Sequence, residues 1–400
     1  MHSPTPRPGP TPSIGVLIAV SMLQPIGINM FIPSIPGMRV AFATDATTIQ
    51  LTISLYLLST AFAMLVLGPM SDRFGRRPVM LAGLALFVAG SLLASFAPTI
   101  GVLLAARVIQ AIGGSAGIAL SRAIVRDVYD RDRSASMIGY VSMGMAVAPM
   151  VAPAIGGLFD EQFGWRASFF AMTAFGALVL VYAGIGLPET RPASTGADDF
   201  RSLLRGFGTL MRIRTFWIYA GTMTIASVVF FAFIGGAPHA ATELMHLSPK
   251  TYGIYFALVA IGYLLGNFIS GRYAMRIGIR RMILAGNFLS LVGVVALALF
   301  AAAGVLHPLA FFGTFLLSSA GNGLALPSII AGAVSVRPEL AGAASGLLGS
   351  LQVGVGAAAT TLVGVLFDIG LMPGTAWFVV LPMLIAGIVA YALAWATPRY

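Results

Sequence analysis

The sequence predicts an all-α integral membrane protein, with twelve transmembrane helices grouped as two pseudo-symmetric six-helix bundles. Three observations carry that prediction. Of 400 residues, 58% are hydrophobic and only 9% charged, with a mean hydropathy of +0.93; a soluble domain needs about a quarter of its residues charged to cover its surface. Apolar runs of roughly 18–25 residues, each long enough to cross the hydrocarbon core as a helix, recur along the whole chain. All but one of the 23 basic residues fall outside those runs or at their ends, and they favour every second connection.

Taken in order, residues 1–12, MHSPTPRPGPTP, form a proline-rich tail expected to be disordered. No short apolar segment with a small-residue cleavage site follows, so the first span is expected to be retained. Spans are predicted at 13–36, 47–70, 78–97, 99–121, 134–158 and 166–187, then 215–237, 251–271, 280–303, 308–334, 341–367 and 374–397. Each is expected to be helical, because a backbone in lipid must satisfy its own hydrogen bonds. The longest connection, 188–214, divides the chain into an N-terminal half (13–187) and a C-terminal half (215–400).

Arg39, Arg166 and Lys250 lie on one side of this arrangement and Arg107 lies within a span; the other nineteen basic residues lie on the opposite side. The positive-inside rule therefore puts both termini in the cytoplasm of a bacterial plasma membrane. The halves also repeat. Ser71-Asp72-Arg73 returns as Ser270-Gly271-Arg272, Arg76-Arg77 as Arg280-Arg281, and LAG (81–83) as LAG (284–286), with Tyr56 matching Tyr255 and a small insertion in the second copy. Two like halves with substrate at their interface is a transporter arrangement. Small residues spaced by four, Gly144 to Gly156 and Gly342 to Ala358, point to close helix packing on the fifth and eleventh spans.

Other classes are excluded or disfavoured. There is no cysteine, one lysine, and no G-x-x-x-x-G-K-[ST] loop, so this chain does not hydrolyse ATP through such a loop. The histidines (His2, His239, His246, His307) lie outside the predicted spans, which leaves no intramembrane metal or haem site. A non-enzyme without cofactor is expected. Its partners are the bilayer and a small-molecule substrate rather than nucleic acid, and a monomer is expected.

Four stretches carry a family resemblance. GPMSDRFGRR (68–77), through Gly68, Asp72, Arg73, Gly75, Arg76 and Arg77, resembles the G-x-x-x-D-R-x-G-R-R signature of the major facilitator superfamily. ARVIQAIGG, with Arg107 and Gln110, resembles its R-x-x-Q-G motif, Ala111 replacing the glycine. APMVAPAIGG (148–157), with Pro149, Pro153, Gly156 and Gly157, resembles the helix-5 motif of its drug antiporters, with Ala148 where glycine is usual. GINMFIPSIP (27–36) resembles the helix-1 pattern T-D-M-Y-L-P-x-x-P of the bicyclomycin and chloramphenicol resistance branch, with Asn29 at the aspartate.

The resemblance implies the major facilitator fold and export of small amphiphilic compounds by alternating access and proton antiport. Arg107, Gln110, Asn29, Tyr56 and Tyr255 are expected at the substrate cavity. Gly68, Asp72, Arg73, Gly75, Arg76 and Arg77, with Arg122 and Asp127, are expected to form a cytoplasmic gate. None of the thirteen acidic residues lies well inside a predicted span, and asparagine at position 29 has no proton to exchange. Any titrating group must then sit at the rim, with Glu243, His239, His246 and Asp368 as candidates in wet loops. Arg107 without a carboxylate partner favours neutral or anionic substrates over cations. Export of a native metabolite (a sugar, amino-acid derivative or siderophore) and uniport without proton coupling are the alternatives.

Overall fold

The structure is a computed structural model that describes residues 12–129, 131–190, 207–337 and 340–398. The tail and most of the 188–214 connection lie outside the described residues. Among the described residues, twelve long helices follow one another. In the N-terminal half they are α1 (Ile14–Ala41), α2 (Ala46–Phe74), α3 (Arg76–Ser95), α4 (Ile100–Val128), α5 (Arg131–Phe163) and α6 (Arg166–Gly186). In the C-terminal half they are α7 (Arg214–Leu244), α8 (Pro249–Ile277), α9 (Ile279–Ala302), α10 (Pro308–Ser335), α11 (Ala341–Asp368) and α12 (Trp377–Trp395). Among the described residues, eleven of these are long and apolar enough to cross a bilayer.

Local chemistry sets the ends. Asp45 caps α2 by accepting the Thr48 N–H, and Ser248 caps α8 by accepting that of Thr251, with Pro249 opening the helix. α1 breaks after Asn29 into a 3-10 turn at Ile32–Ser34, with Pro33 as its second residue, and resumes as Ile35–Ala41. α7 does not stop at the Gly235-Gly236-Ala237-Pro238 run: it continues through His239 and one π turn, Ala240–Leu244. His239 is therefore fully buried at the end of a span, which corrects the sequence expectation of a wet loop.

The internal repeat is more regular than the sequence suggests. α2 and α8 both run 29 residues and end on a glycine of positive φ, Gly75 (102°) and Gly278 (90°). Counting from these glycines pairs Arg73 with Arg276, Arg77 with Arg280 and Tyr56 with Val259, and no insertion is needed. The pairing of Ser71-Asp72-Arg73 with Ser270-Gly271-Arg272 is one helical turn out of step, as is that of Tyr56 with Tyr255. The matched arginines do the same work: Arg77 donates to the Gly184 carbonyl near the end of α6 (2.8 Å), and Arg280 to Trp395 (3.2 Å) and Thr397 (3.0 Å) at the end of α12.

The end carrying Gly75 and Gly278 is called the basic end below, and the opposite one the far end. At the far end the halves are tied together. Asp368 of α11 accepts the Ala46 (2.9 Å) and Thr47 (2.6 Å) amides at the start of α2. Ser54 bonds Thr360 and Thr361, each at 2.7 Å, and Gln50 donates to the Gly235 carbonyl. Gly157 of α5 lies against the Pro249 carbonyl, and Gly253 of α8 against the Pro153 carbonyl. The small-residue pattern of α11 behaves differently: a methyl built on Gly346 or Gly354 meets nothing within 4 Å. Those two glycines border open space, while Ser350 between them donates to the Ala61 carbonyl of α2 at 3.3 Å.

Candidate functional site

Arg107 projects from α4 into a box closed by three helices. Its Nε donates to the Thr52 carbonyl of α2 (3.1 Å), and its Nη1 to the Gly27 carbonyl of α1 (2.8 Å) and to Gln110 Oε1. The break after Asn29 supplies the Gly27 acceptor, because the last carbonyls of a helix lack intrahelical partners. Phe31 and Tyr56 cover the guanidinium at 4.1 and 4.2 Å from their ring centroids, a cation–π arrangement in a dry site. Gln110 passes the network on to Ser91 (2.7 Å), and the Tyr56 hydroxyl donates to the Gln24 carbonyl (3.2 Å). Arg107 and Gln110 are fully buried and do not line the cavity. The expectation that they face substrate is corrected for this conformation: two aromatic rings stand in the way. Asn29 is 4% exposed and turns back on its own helix, donating to the Pro25 carbonyl at 2.8 Å. Tyr255 stacks on Phe312 (5.5 Å) in the other half, away from Arg107 and the cavity lining.

The cavity itself, about 690 Å³, lies between the halves, at mid-span and toward the basic end. Phe230, Phe231, Phe256 and Tyr263 give it an aromatic wall, and Ser227, Asn267, Asn322 and Gln352 supply polar groups. Two of these amides are engaged, Gln352 Nε2 with Ser227 Oγ (2.8 Å) and Asn267 Nδ2 with the Tyr263 carbonyl (2.9 Å). Asn322 Nδ2 is buried without a hydrogen-bond partner. The N-terminal half adds Met145, Pro149 and, as the only charged lining residue among those described, Arg122. No described carboxylate lines the space. The sequence marks Gln352, Asn267 and Asn322 as intramembrane polar residues but does not sort them; their common cavity appears only when four C-terminal-half helices meet.

At the basic end Arg76 is 7% exposed and pairs with Asp72 and with Asp127 of α4 (2.9 Å), while also donating to Ser71 Oγ (2.5 Å). Glu189, just after α6, accepts the Arg76 amide (2.8 Å) and the Arg77 amide (3.2 Å) at the open N-terminus of α3. Gly75 leaves room for that carboxylate, since a methyl there would stand 2.6 Å from Glu189 Oε2. These partners all belong to the N-terminal half. These described contacts brace the N-terminal half at the place where the sequence suggests a gate. Glu189 carries no motif and is missed by sequence.

At the far end, Arg39 of α1 pairs with Glu243 of α7 at 3.0 Å, and His239 Nδ1 lies 3.1 Å from the same carboxylate oxygen. Asp368, as described above, caps α2. Pro153, Gly156 and Gly157 of the helix-5 motif lie here too, Gly156 beside the Met30 carbonyl.

A family profile described as Major Facilitator Superfamily matches residues 17–242 and 223–400. The chain belongs to the major facilitator superfamily. It is 32% identical over 351 residues to the multidrug resistance protein MdtL of Shigella flexneri serotype 5b (strain 8401), covering 84% of each chain. It is also 32% identical over 286 residues to a chloramphenicol resistance protein of Pseudomonas aeruginosa, covering 71% of this chain and 67% of the other. The xylose transporter XylE from E. coli, in a partially occluded inward open conformation, superposes with a TM-score of 0.76 at 11% identity, over 96% of this chain and 97% of XylE. The facilitator fold, and the resemblance to drug-resistance members read from GINMFIPSIP and its companion motifs, agree with these findings. The chain is a multi-pass membrane transporter.

Proposed function

We propose that this transporter exports small amphiphilic compounds, neutral or anionic rather than cationic, by alternating access with proton antiport. The observation that carries the substrate class is the cavity lining: aromatic walls, Arg122 and the unspent amide donor of Asn322, with no carboxylate among the described residues. A cation entering such a space finds no counter-charge for its desolvation, whereas an acyl or amide carbonyl finds Asn322. Sealing of the far end while the cavity lies toward the basic end supports the alternating-access part. The arginine distribution puts the basic end and both termini in the cytoplasm of a bacterial plasma membrane, which makes this conformation the one that loads substrate. Drug accumulation in an efflux-deficient bacterial host tests the reading, with a panel of chloramphenicol-like neutral compounds, organic anions and organic cations. Expression should lower accumulation of the first two but not the third, and an uncoupler should restore it. Efficient export of cations would refute the substrate class, and export that survives the uncoupler would refute antiport.

A further inference from the structure

His239 is a fully buried titratable side chain that neither the Arg107 box nor the cavity uses. Its Nδ1 and Arg39 Nη2 converge on one oxygen of Glu243, at 3.1 and 3.0 Å, and its Nε2 has no hydrogen-bond partner. Phe367 of α11 closes the group, stacking on the imidazole at 4.8 Å and lying under the Arg39 guanidinium at 5.4 Å. The described charged groups around the ring are therefore Glu243 on α7 and Arg39 on α1; Asp368, next to Phe367, is committed to the amides of α2.

We propose that His239 and Glu243 form a proton-binding site of the transport cycle, filled when the far end opens and emptied when Arg39 returns to Glu243. The proposal rests on the alternating-access reading above. In the sealed conformation the neutral ring donates Nδ1–H to Glu243, and a second proton would have to sit on Nε2, buried with no acceptor. Arg39 already balances the carboxylate. When the halves part, Arg39 leaves with α1 and water reaches the ring. Glu243 then keeps its charge balanced by an imidazolium, the side chain that changes charge between pH 5 and 8. The proton comes from far-side water onto Nε2 and returns to that water before Arg39 reclaims the oxygen, so the site gates the opening of the far end and does not itself carry a proton across. Acid on the far side thus favours the conformation in which the far end is open.

The cysteine-free chain makes the test direct. Ser54 is 2% exposed, in the seam against Thr360 and Thr361; Ser54→Cys can react with a maleimide only when the far end opens. Rates in reconstituted protein, normalised to an exposed Ala303→Cys, should rise about tenfold between about pH 7.5 and 5.5, the effect of about one unit of difference in proton affinity between conformations. In the Ser54→Cys background His239→Gln should flatten the profile to within about twofold, and Arg39→Gln should raise the rate at pH 7.5. A flat profile without these substitutions, or a His239→Gln profile as steep as the original, overturns the proposal. Should His239→Gln not yield folded protein, Glu243→Gln carries the same test, with a flat profile expected and a steep one overturning it. Labelling needs no drug, so a steep profile in a transporter that exports nothing on the panel would remove the drug reading and leave the proton site standing.

Discussion

Arg107 and Asn322 are both buried polar residues of the membrane interior, yet their surroundings assign them different work. Arg107 donates from Nε and Nη1 to carbonyls of α1 and α2 and to Gln110, beneath two aromatic rings, while its Nη2 has no hydrogen-bond partner. Arg107→Lys keeps the charge but has no planar fork with which to reach three acceptors. Its expected cost is about 2–3 kcal/mol of stability, from acceptors left unpaired in a dry site, with transport of every substrate reduced. Asn322→Leu should leave thermal unfolding nearly unchanged, because its Nδ2 has no partner to lose. It should instead raise the half-saturating concentration of carbonyl-bearing substrates about tenfold, the effect of one lost hydrogen bond of about 1.4 kcal/mol. Unfolding curves and transport kinetics on the two variants check this contrast. It collapses if Arg107→Lys alters only substrate affinity while Asn322→Leu unfolds the protein.

At the scale of elements, the α2–α3 and α8–α9 turns show where sequence is informative and where it stops. The motif marks Gly68 and Gly75 alike, but only Gly75 is at positive φ with Glu189 against it; a methyl on Gly68 meets nothing. Gly75→Ala should cost about 2–3 kcal/mol, Gly278→Ala about 1–2 from backbone strain alone, and Gly68→Ala nothing, or a gain of up to about 1 from helix propensity. Thermal unfolding in detergent orders the three, and a Gly68→Ala protein less stable than Gly75→Ala would contradict the geometry. The twelve helices were legible because length and apolarity alone dictate them in lipid. The register of the repeat was not: a slip of one turn keeps residues on the same helix face, so Ser270-Gly271-Arg272 imitates the true partner. Glu189 and the Arg39–Glu243 pair were equally illegible, since contacts between distant segments leave no spacing signal. His239 was misplaced because Gly-Gly-x-Pro reads as a helix end, and a π turn instead carries the helix past it. The caps at the far end of α2 also matter for any pH experiment. Thr48's N–H holds the Asp45 carboxyl below its ordinary range. Its contribution is therefore complete above the ordinary carboxylate pKa and is lost only as pH falls through the lowered value. Acid effects seen between about pH 7.5 and 5.5 thus arise elsewhere than at this cap.

For the whole molecule, on the proposed alternating-access reading, function depends on the difference in free energy between a sealed far end and an open one, so a change that touches only the seam should move populations without moving stability. Gly157 and Gly253 offer such changes: their hydrogens face carbonyls of the opposite half, Pro249 and Pro153, and a methyl on Gly253 would stand 2.5 Å from its carbonyl. Within its own helix, alanine is the better residue by about 1 kcal/mol. Gly157→Ala and Gly253→Ala should therefore leave the unfolding temperature unchanged or raised while destabilising closure by about 1–2 kcal/mol, which is a 5- to 30-fold shift toward the far-end-open state. Gly354→Ala, where an added methyl meets nothing within 4 Å, is the control expected to shift nothing. The readouts are maleimide labelling of Ser54→Cys at neutral pH, which should rise for the first two variants, and export rate, which should fall because the loading conformation becomes scarce. Unchanged labelling together with a lower unfolding temperature would show that these glycines serve folding rather than the alternation of access. A rise in all three variants would mean that α5 and α8 hold no special place in the seam.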